Sequence, residues 1–197
     1  MDPNKEYGMK DHCLGSLKGQ FLIAMPNLVE PSFFQTVILV CEHNASGAVG
    51  VIINRTHPFL TCRHVFEEIQ INCLPHIASN PIHIGGPVHS EEIFILHGAP
   101  FEWNGSLSVT PFVSLSNTLD LLNEIGKGSG PQSFIVALGC AGWAPGQLES
   151  ELSQNVWLTT PAYEKTIFDT AVNDRWESAL RHMGVDPLWL SSQAGHA

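Results

Sequence analysis

The stretch Thr36-Val-Ile-Leu-Val-Cys-Glu-His-Asn-Ala-Ser-Gly-Ala-Val-Gly-Val-Ile-Ile-Asn54 decides the fold class. Thr36–His43 is β-branched or apolar at nearly every position, which suits a strand covered on both faces. Asn44-Ala-Ser-Gly47 is turn chemistry, and Ala48–Asn54 repeats the apolar pattern. Two such runs joined by so short a loop predict a hairpin, and so an antiparallel core to the sheet.

Working outward, Phe21–Met25 predicts a strand, and the prolines of 26–31 interrupt it. Thr61 is placed to cap a helix over Cys62–Gln70, with Val65, Phe66 and Ile69 on one face. Pro81–Ile84 is extended and runs into a tight turn at Gly85-Gly86-Pro87, followed by a strand over Ile93–His97. Ser106–Val113 reads as one edge strand interrupted by Pro111. Leu115, Leu119, Leu122 and Ile125 mark a helix closed by Gly126 or Gly128. Gln132–Leu138 and Val156–Thr160 read as strands, and Pro145–Gln154 between them as a helix with proline in its first turn. The last helix is predicted over Thr170–Met183, between an Asp169 N-cap and Gly184, with Val172, Trp176, Ala179, Leu180 and Met183 as its buried stripe. Hairpins and isolated helices without a strict βαβ rhythm predict an α+β fold: one domain with a mixed, largely antiparallel sheet packed with helices. A doubly wound α/β sheet is the second choice. Residues 1–16 read as a flexible tail and 17–197 as the domain.

Composition narrows the functional classes. Nine basic against 19 acidic residues give a formal net charge of −10. The basic residues are scattered, so the Lys and Arg clusters that bind phosphate backbones or anionic lipid are missing, and nucleic acid and membrane are disfavoured as partners. Five cysteines, an odd number with no CxxC pair, argue against a disulfide framework or zinc ribbon and for a reducing cytoplasm. The start lacks the apolar core of a signal peptide.

Chemistry is densest at Gly139-Cys-Ala-Gly-Trp-Ala-Pro-Gly-Gln-Leu-Glu-Ser-Glu-Leu-Ser-Gln-Asn-Val-Trp157. A strand is expected to end there, the chain to turn on Gly139 and Gly142, and a helix start to offer free N–H groups to an anion or polar ligand. Leu148 and Leu152 are expected to face the core, and Gln147, Glu151 and Asn155, four apart, to form a polar stripe. Glycines closing a turn, tryptophans in the core and a solvated stripe explain the same residues without a ligand. Cys140 is a candidate nucleophile only if its thiol is activated, and a small buried side chain is the commoner state of cysteine. Glu42, His43 and Asn44, beside Cys41, offer acid–base or ligand atoms at a strand end. Strand alternation sets Glu42 opposite Cys41 and His43, so one metal does not reach all three; hydrogen bonding that holds the loop is the favoured role. Gly85, Gly86 and Pro87 allow close approach of backbone to a ligand, or simply a turn. His83, His89 and His97 lie near one turn without ligand spacing. No metal and no cofactor is implied.

Gly19-Gln-Phe-Leu-Ile-Ala-Met-Pro26, Cys41-Glu-His-Asn44, Gly47-Ala-Val-Gly50, Gly85-Gly-Pro-Val88, Ala141-Gly-Trp143, Gly146-Gln-Leu-Glu149, Glu151, Asn155, Trp157 and Gly195-His-Ala197, in that order, resemble the bacterial YqgE/AlgH family. The resemblance implies an α+β domain of the bacterial cytoplasm, with no settled activity and a proposed part in transcriptional regulation. The chain departs from the family's pattern twice. Cys140 stands where the family commonly has tyrosine, which weakens a nucleophilic thiol. Glu91-Glu92 stands where an acidic–arginine pair usually follows Gly-Gly-Pro-Val.

Three functions are thus in play. The first is a non-catalytic binding or regulatory protein, its groove lined by Glu42, His43, Asn44, Gly85, Gly86, Pro87, Gly142, Trp143, Gln147, Glu149, Glu151 and Asn155, its partner an unidentified protein or small molecule. The second is a hydrolase or transferase using a carboxylate or Cys140. The third, a direct DNA-binding regulator, is disfavoured by charge.

Overall fold

The computed structural model describes residues 15–25, 28 and 30–187. Most of the expected tail, 1–16, half of the break at 26–31 and the Gly195-His-Ala197 signature lie outside these residues. Ten strands form one sheet. They are β1 (Gln20–Ala24), β2 (Val37–Asn44), β3 (Gly47–Ile52), β4 (Thr56–Thr61), β5 (Pro81–Ile84), β6 (Val88–His97), β7 (Leu107–Thr110), β8 (Val113–Ser116), β9 (Phe134–Trp143) and β10 (Trp157–Pro161). The helices are α1 (Cys62–Glu68), α2 (Pro75–Ala78), α3 (Leu119–Lys127), α4 (Gln147–Ser153), α5 (Glu164–Phe168) and α6 (Arg175–His182). The main path runs β10-β1-β2-β3-β9-β6-β8-β7, with β4 and β5 attached beside β9. Every pairing is antiparallel except β5 with β9. The α+β expectation, with a mixed and largely antiparallel sheet, therefore holds.

One face of the sheet is a continuous apolar core. Phe21, Leu39, Val51, Leu96, Ile135 and Ala137 meet Ile167 of α5 and Trp176, Ala179 and Leu180 of α6 there. The opposite face carries two smaller cores. One gathers Leu22, Ile38, Val40, Ile52, Trp143 and Trp157 beneath Leu148 of α4. The other packs Phe66 of α1 and Leu121, Leu122 and Ile125 of α3 on Ile82, Ile95 and Val136.

Several boundaries move for identifiable reasons. Pro111 marks the turn of a hairpin between β7 and β8 rather than a flaw within one strand. Leu115 accordingly belongs to β8, and α3 starts later, ending at Gly128 with φ 77°. The last helix starts later than expected: a 3₁₀ turn, Val172–Asp174, takes its first residues, Asp174 is the N-cap of α6, and Asp169 instead closes the unanticipated α5. Arg175, not Val172, completes the α6 buried face. Pro145 lies before α4, whose N-cap is Gly146 at φ 75°.

Two irregularities position the α4 corner. In β2 the pairing shifts between Val40 and Glu42, so Glu42 opposes Val49 and His43 opposes Ala48. Cys41 is thus the extra residue of a bulge and packs in the α6-side core with Leu39. Simple alternation fails here: Cys41 and Glu42 share a side, and His43 joins Ala48 and Val40 on the face under α4. In β9, Ile135 and Ala137 face α6, but Ala141 and Trp143 face α4. The parity changes at Gly139, φ 73°, where the β6–β9 register also shifts. The strand therefore does not end at Leu138 and turn. It runs on to Trp143, with its faces exchanged.

The second shift has a steric cause. β5 lies parallel on one edge of β9, with Gly85 N–H bonded to Leu138 O, while Val88 of β6 pairs with Cys140. Between them Gly85-Gly86 pass across the β9 backbone. A Cβ on Gly86 would lie 2.2 Å from the Cys140 carbonyl carbon, and one on Gly139 2.4 Å from Gly86 O. The close approach these glycines permit is to the chain's own backbone.

Candidate functional site

α4 is seven residues long and is fastened by hydrogen bonds rather than broad apolar cover. Its centre is the Glu151 carboxylate. Oε2 accepts the indole N–H of Trp143 at 2.8 Å and of Trp157 at 2.7 Å, and Oε1 accepts the Gln147 amide at 2.9 Å. The Gln147 side-chain oxygen accepts the Ala144 N–H at 3.0 Å, closing the helix entry where an anion was expected. The two indoles meet edge to face, centroids 6.2 Å apart, and Phe33 meets Trp157 the same way at 5.7 Å. β9 ends on Trp143 and β10 begins on Trp157, so the connection through α4 brings both rings to one carboxylate.

Beside this cluster opens a cleft of about 300 Å³. Trp143, Trp157, Gln147 and Glu151 line one side, Pro87 and Gly142 another, and Leu28, Glu30, Phe33 and Val156 complete it. Pro87 and the α4 corner, far apart in sequence, thus meet. Leu28, Glu30 and Phe33 were not singled out from the sequence; they sit in a proline-broken segment with no periodicity, and only the chain path brings them here.

The other sequence candidates sit elsewhere. Gly85 and Gly86 are buried against β9. Glu42 and Asn44 hold the hairpin loop: Asn44 donates to Glu42 at 2.8 Å and accepts the Ser46 N–H at 2.7 Å. His43 takes the Leu17 N–H on Nδ1 at 2.9 Å, so Nε2 carries the proton and donates to Glu149 at 2.9 Å. The Glu149 carboxyl is held below its usual pKa, first by its own backbone N–H and also by His43. Asn155 lies past the end of α4 at φ 56°, exposed, and does not continue the polar stripe. Cys140 is 3% exposed, and burial, with the charge of Glu92, raises its thiol pKa, the opposite of an activated nucleophile. Among the described residues no three His, Cys, Asp or Glu side chains group as metal ligands. His83 faces Arg175, His97 is bonded to Gly98 and Ser106, and His89 pairs with Glu92, so the three do not converge. No helix among the described residues is long and apolar enough to cross a membrane.

The AlgH-like family model matches residues 21–188. The chain belongs to the AlgH-like family. A UPF0301 protein of Desulforapulum autotrophicum is 48% identical over 183 residues, covering 93% of this chain and 97% of that protein. One from Ralstonia nicotianae is 42% identical, covering 92% and 96%. The solution structure of the AlgH protein from Pseudomonas aeruginosa is similar at TM-score 0.77 and 39% identity, covering 96% of this chain and all of that one. A crystal structure of a Corynebacterium diphtheriae protein shares the fold at TM-score 0.68 and 23% identity, with 87% and 88% covered. In this AlgH-like chain the strings that carry the family resemblance do two kinds of work. Gly85-Gly86 let strands cross, whereas Trp143, Gln147, Glu151 and Trp157 build one wall of the cleft.

Proposed function

We propose that the protein is a non-catalytic binding protein of the cytoplasm, and that its cleft beside α4 receives a small molecule. The supporting observation is the meeting at this recess of residues from four separate parts of the chain: Leu28, Glu30 and Phe33; Pro87; Gly142, Trp143, Gln147 and Glu151; and Val156 and Trp157. Small-molecule sites are concave, mostly apolar and orient the ligand with a few fixed polar groups. Three ring-bearing residues and a carboxylate immobilised by three donors match that description. Binding is favoured over hydrolysis or group transfer. Glu151 is engaged by structural donors, while Cys140 is buried beneath strand backbone. Any effect on transcription then runs through the bound ligand or a protein partner. A chain of net charge −10 lacks the basic surface that duplex DNA selects.

A metabolite screen by thermal shift tests this reading, since a ligand that binds only the native state raises the apparent melting temperature. Hits are expected to move the indole N–H resonances of Trp143 and Trp157 and to leave that of Trp103 in place. Hits that act only at other resonances would remove the cleft from consideration.

A further inference from the structure

We infer that the cleft takes a small organic cation, an alkylammonium or quaternary ammonium group, seated between Glu151 and Glu30. This rests on reading the cleft as a ligand site, and three features set the sign of the charge.

First, among the described residues the lining carries two carboxylates and no Lys, Arg or His. The nearby Arg55 is turned away: it donates to the Pro31 and Phe34 carbonyls at 3.0 and 2.7 Å and lines a separate recess with Asn54 and Trp176. Second, the Glu151 charge is satisfied only by neutral dipoles. No ion pair joins it to a cation among the described residues. A carboxylate has about four lone-pair positions. The two indoles use Oε2 and Gln147 uses Oε1, so three of those positions are taken on a residue that lines the cleft. Glu30 is exposed at the rim, and its side chain has neither hydrogen-bond nor ion-pair partner among the described residues. Third, the remaining walls are Phe33, Trp143, Trp157, Leu28 and Val156, suited to the alkyl body of such a cation, and aromatic rings also attract cationic groups. An anion would be desolvated beside two like charges. A neutral guest without O–H or N–H donors would cover a carboxylate without replacing the water it loses.

The test is titration of the full-length protein with choline and with 3,3-dimethyl-1-butanol, its uncharged carbon isostere. Calorimetry and the two indole N–H resonances are the readouts. Choline is expected to bind about tenfold more tightly than the alcohol, and to weaken as salt is raised. Glu30→Gln is expected to lower choline affinity several-fold with an unchanged melting temperature. That variant matters because Glu151→Gln also disturbs the indole bonds. Equal or tighter binding of the alcohol, or Glu30→Gln with unaltered choline affinity, would overturn the cation assignment and leave the cleft a ligand site. Silence of choline while an anionic or neutral metabolite moves the indoles would do the same. Silence of every compound at the indoles would overturn the site itself.

Discussion

The two faces of the sheet each hold a charged group in a neutral setting, and they do so with opposite signs. On the α6 face, Arg175 is 5% exposed, and no ion pair joins it to a carboxylate among the described residues. Its guanidinium donates to the carbonyls of Ile53 and Thr170 and lies 3.3 Å from His83 Nε2. Burial lowers its pKa to about 10. On the α4 face, Glu151 is held by two indoles and an amide and has no cation partner among the described residues. The difference lies in access. Arg175 is sealed under α6 and ties helix to sheet, because a buried charge must have its hydrogen bonds met. Glu151 does the equivalent job for α4 but borders an open cleft. The same device closes one face and borders a cleft on the other.

The largest effect should come from removing the face exchange that creates the α4 side. Gly139→Ala puts a methyl 2.4 Å from Gly86 O at a residue with φ 73°. Backbone cannot retreat there without breaking the β5–β9 or β6–β9 pairing. We expect a loss on the order of 4 kcal/mol or more, seen as failure to recover a cooperative unfolding transition. Gly146→Ala is the control: its φ is 75°, yet no atom lies within 4 Å of the added methyl, so only the smaller conformational cost of about 1 kcal/mol applies.

The α6 face should be the acid-sensitive one. Burial, then the charge of Arg175, depresses the His83 pKa from 6.5 to about 4. The unfolded chain therefore takes up the proton first. The contribution to stability is fully present above pH 6.5 and disappears as pH falls toward 4. The full shift is worth about 3 kcal/mol. His97, lowered mainly by its own burial, acts in the same direction. Urea unfolding at pH 7 and pH 4.5 measures the slope, and His83→Gln should flatten it.

On the α4 face, Glu151→Ala leaves two indole N–H groups without their acceptor. At about 1 kcal/mol for each lost bond, roughly 2 kcal/mol of stability should go. A red-shifted tryptophan emission and a lower urea midpoint would register it. A variant as stable as wild type would mean that water replaces the carboxylate, and the equivalence of the two faces would fail.

What could be read from the sequence divides along the same line. The α6 face rests on periodicity, and β1, β2, β3 and the apolar stripe of α6 were legible from it. Arg175 was not: a single arginine among Asp174, Glu177 and Arg181 reads as a solvated cation, and only the placement of Ile53 and Thr170 carbonyls makes it internal. At the α4 corner the composition drew attention to Trp143, Gln147 and Glu151 correctly as neighbours. It missed the geometry, because a bulge at Cys41 and a left-handed Gly139 change side-chain parity without altering the apolar pattern. β4 was missed for a different reason. It carries Pro58 and an exposed Phe59, and it pairs only with β5, so it has neither alternation nor full burial to announce it. Leu28, Glu30 and Phe33, which complete the cleft, carried no periodic signal at all.

The smallest expected effect concerns the Cys41 bulge. The extra residue sends His43 rather than Glu42 to the α4 side, where its ring joins Leu17 N–H to Glu149. Ser16 Oγ adds a bond to the His43 carbonyl at 3.0 Å. His43→Ala removes the ring's two bonds but keeps the backbone one. Glu149 is 40% exposed and can turn to water, so its share is small. The Leu17 amide, part-buried, loses its acceptor outright, and about 1 kcal/mol of local stability goes with it. Hydrogen exchange resolves this from a global change: the Leu17 amide should exchange roughly fivefold faster, while Ile38 and Leu39, paired on both edges of β2, keep wild-type protection. Equal acceleration at Leu17 and Leu39 would mean that the histidine supports the whole sheet. Confinement to Leu17 would make the α4 corner a set of separable polar fasteners, unlike the α6 face, whose apolar contacts form one core.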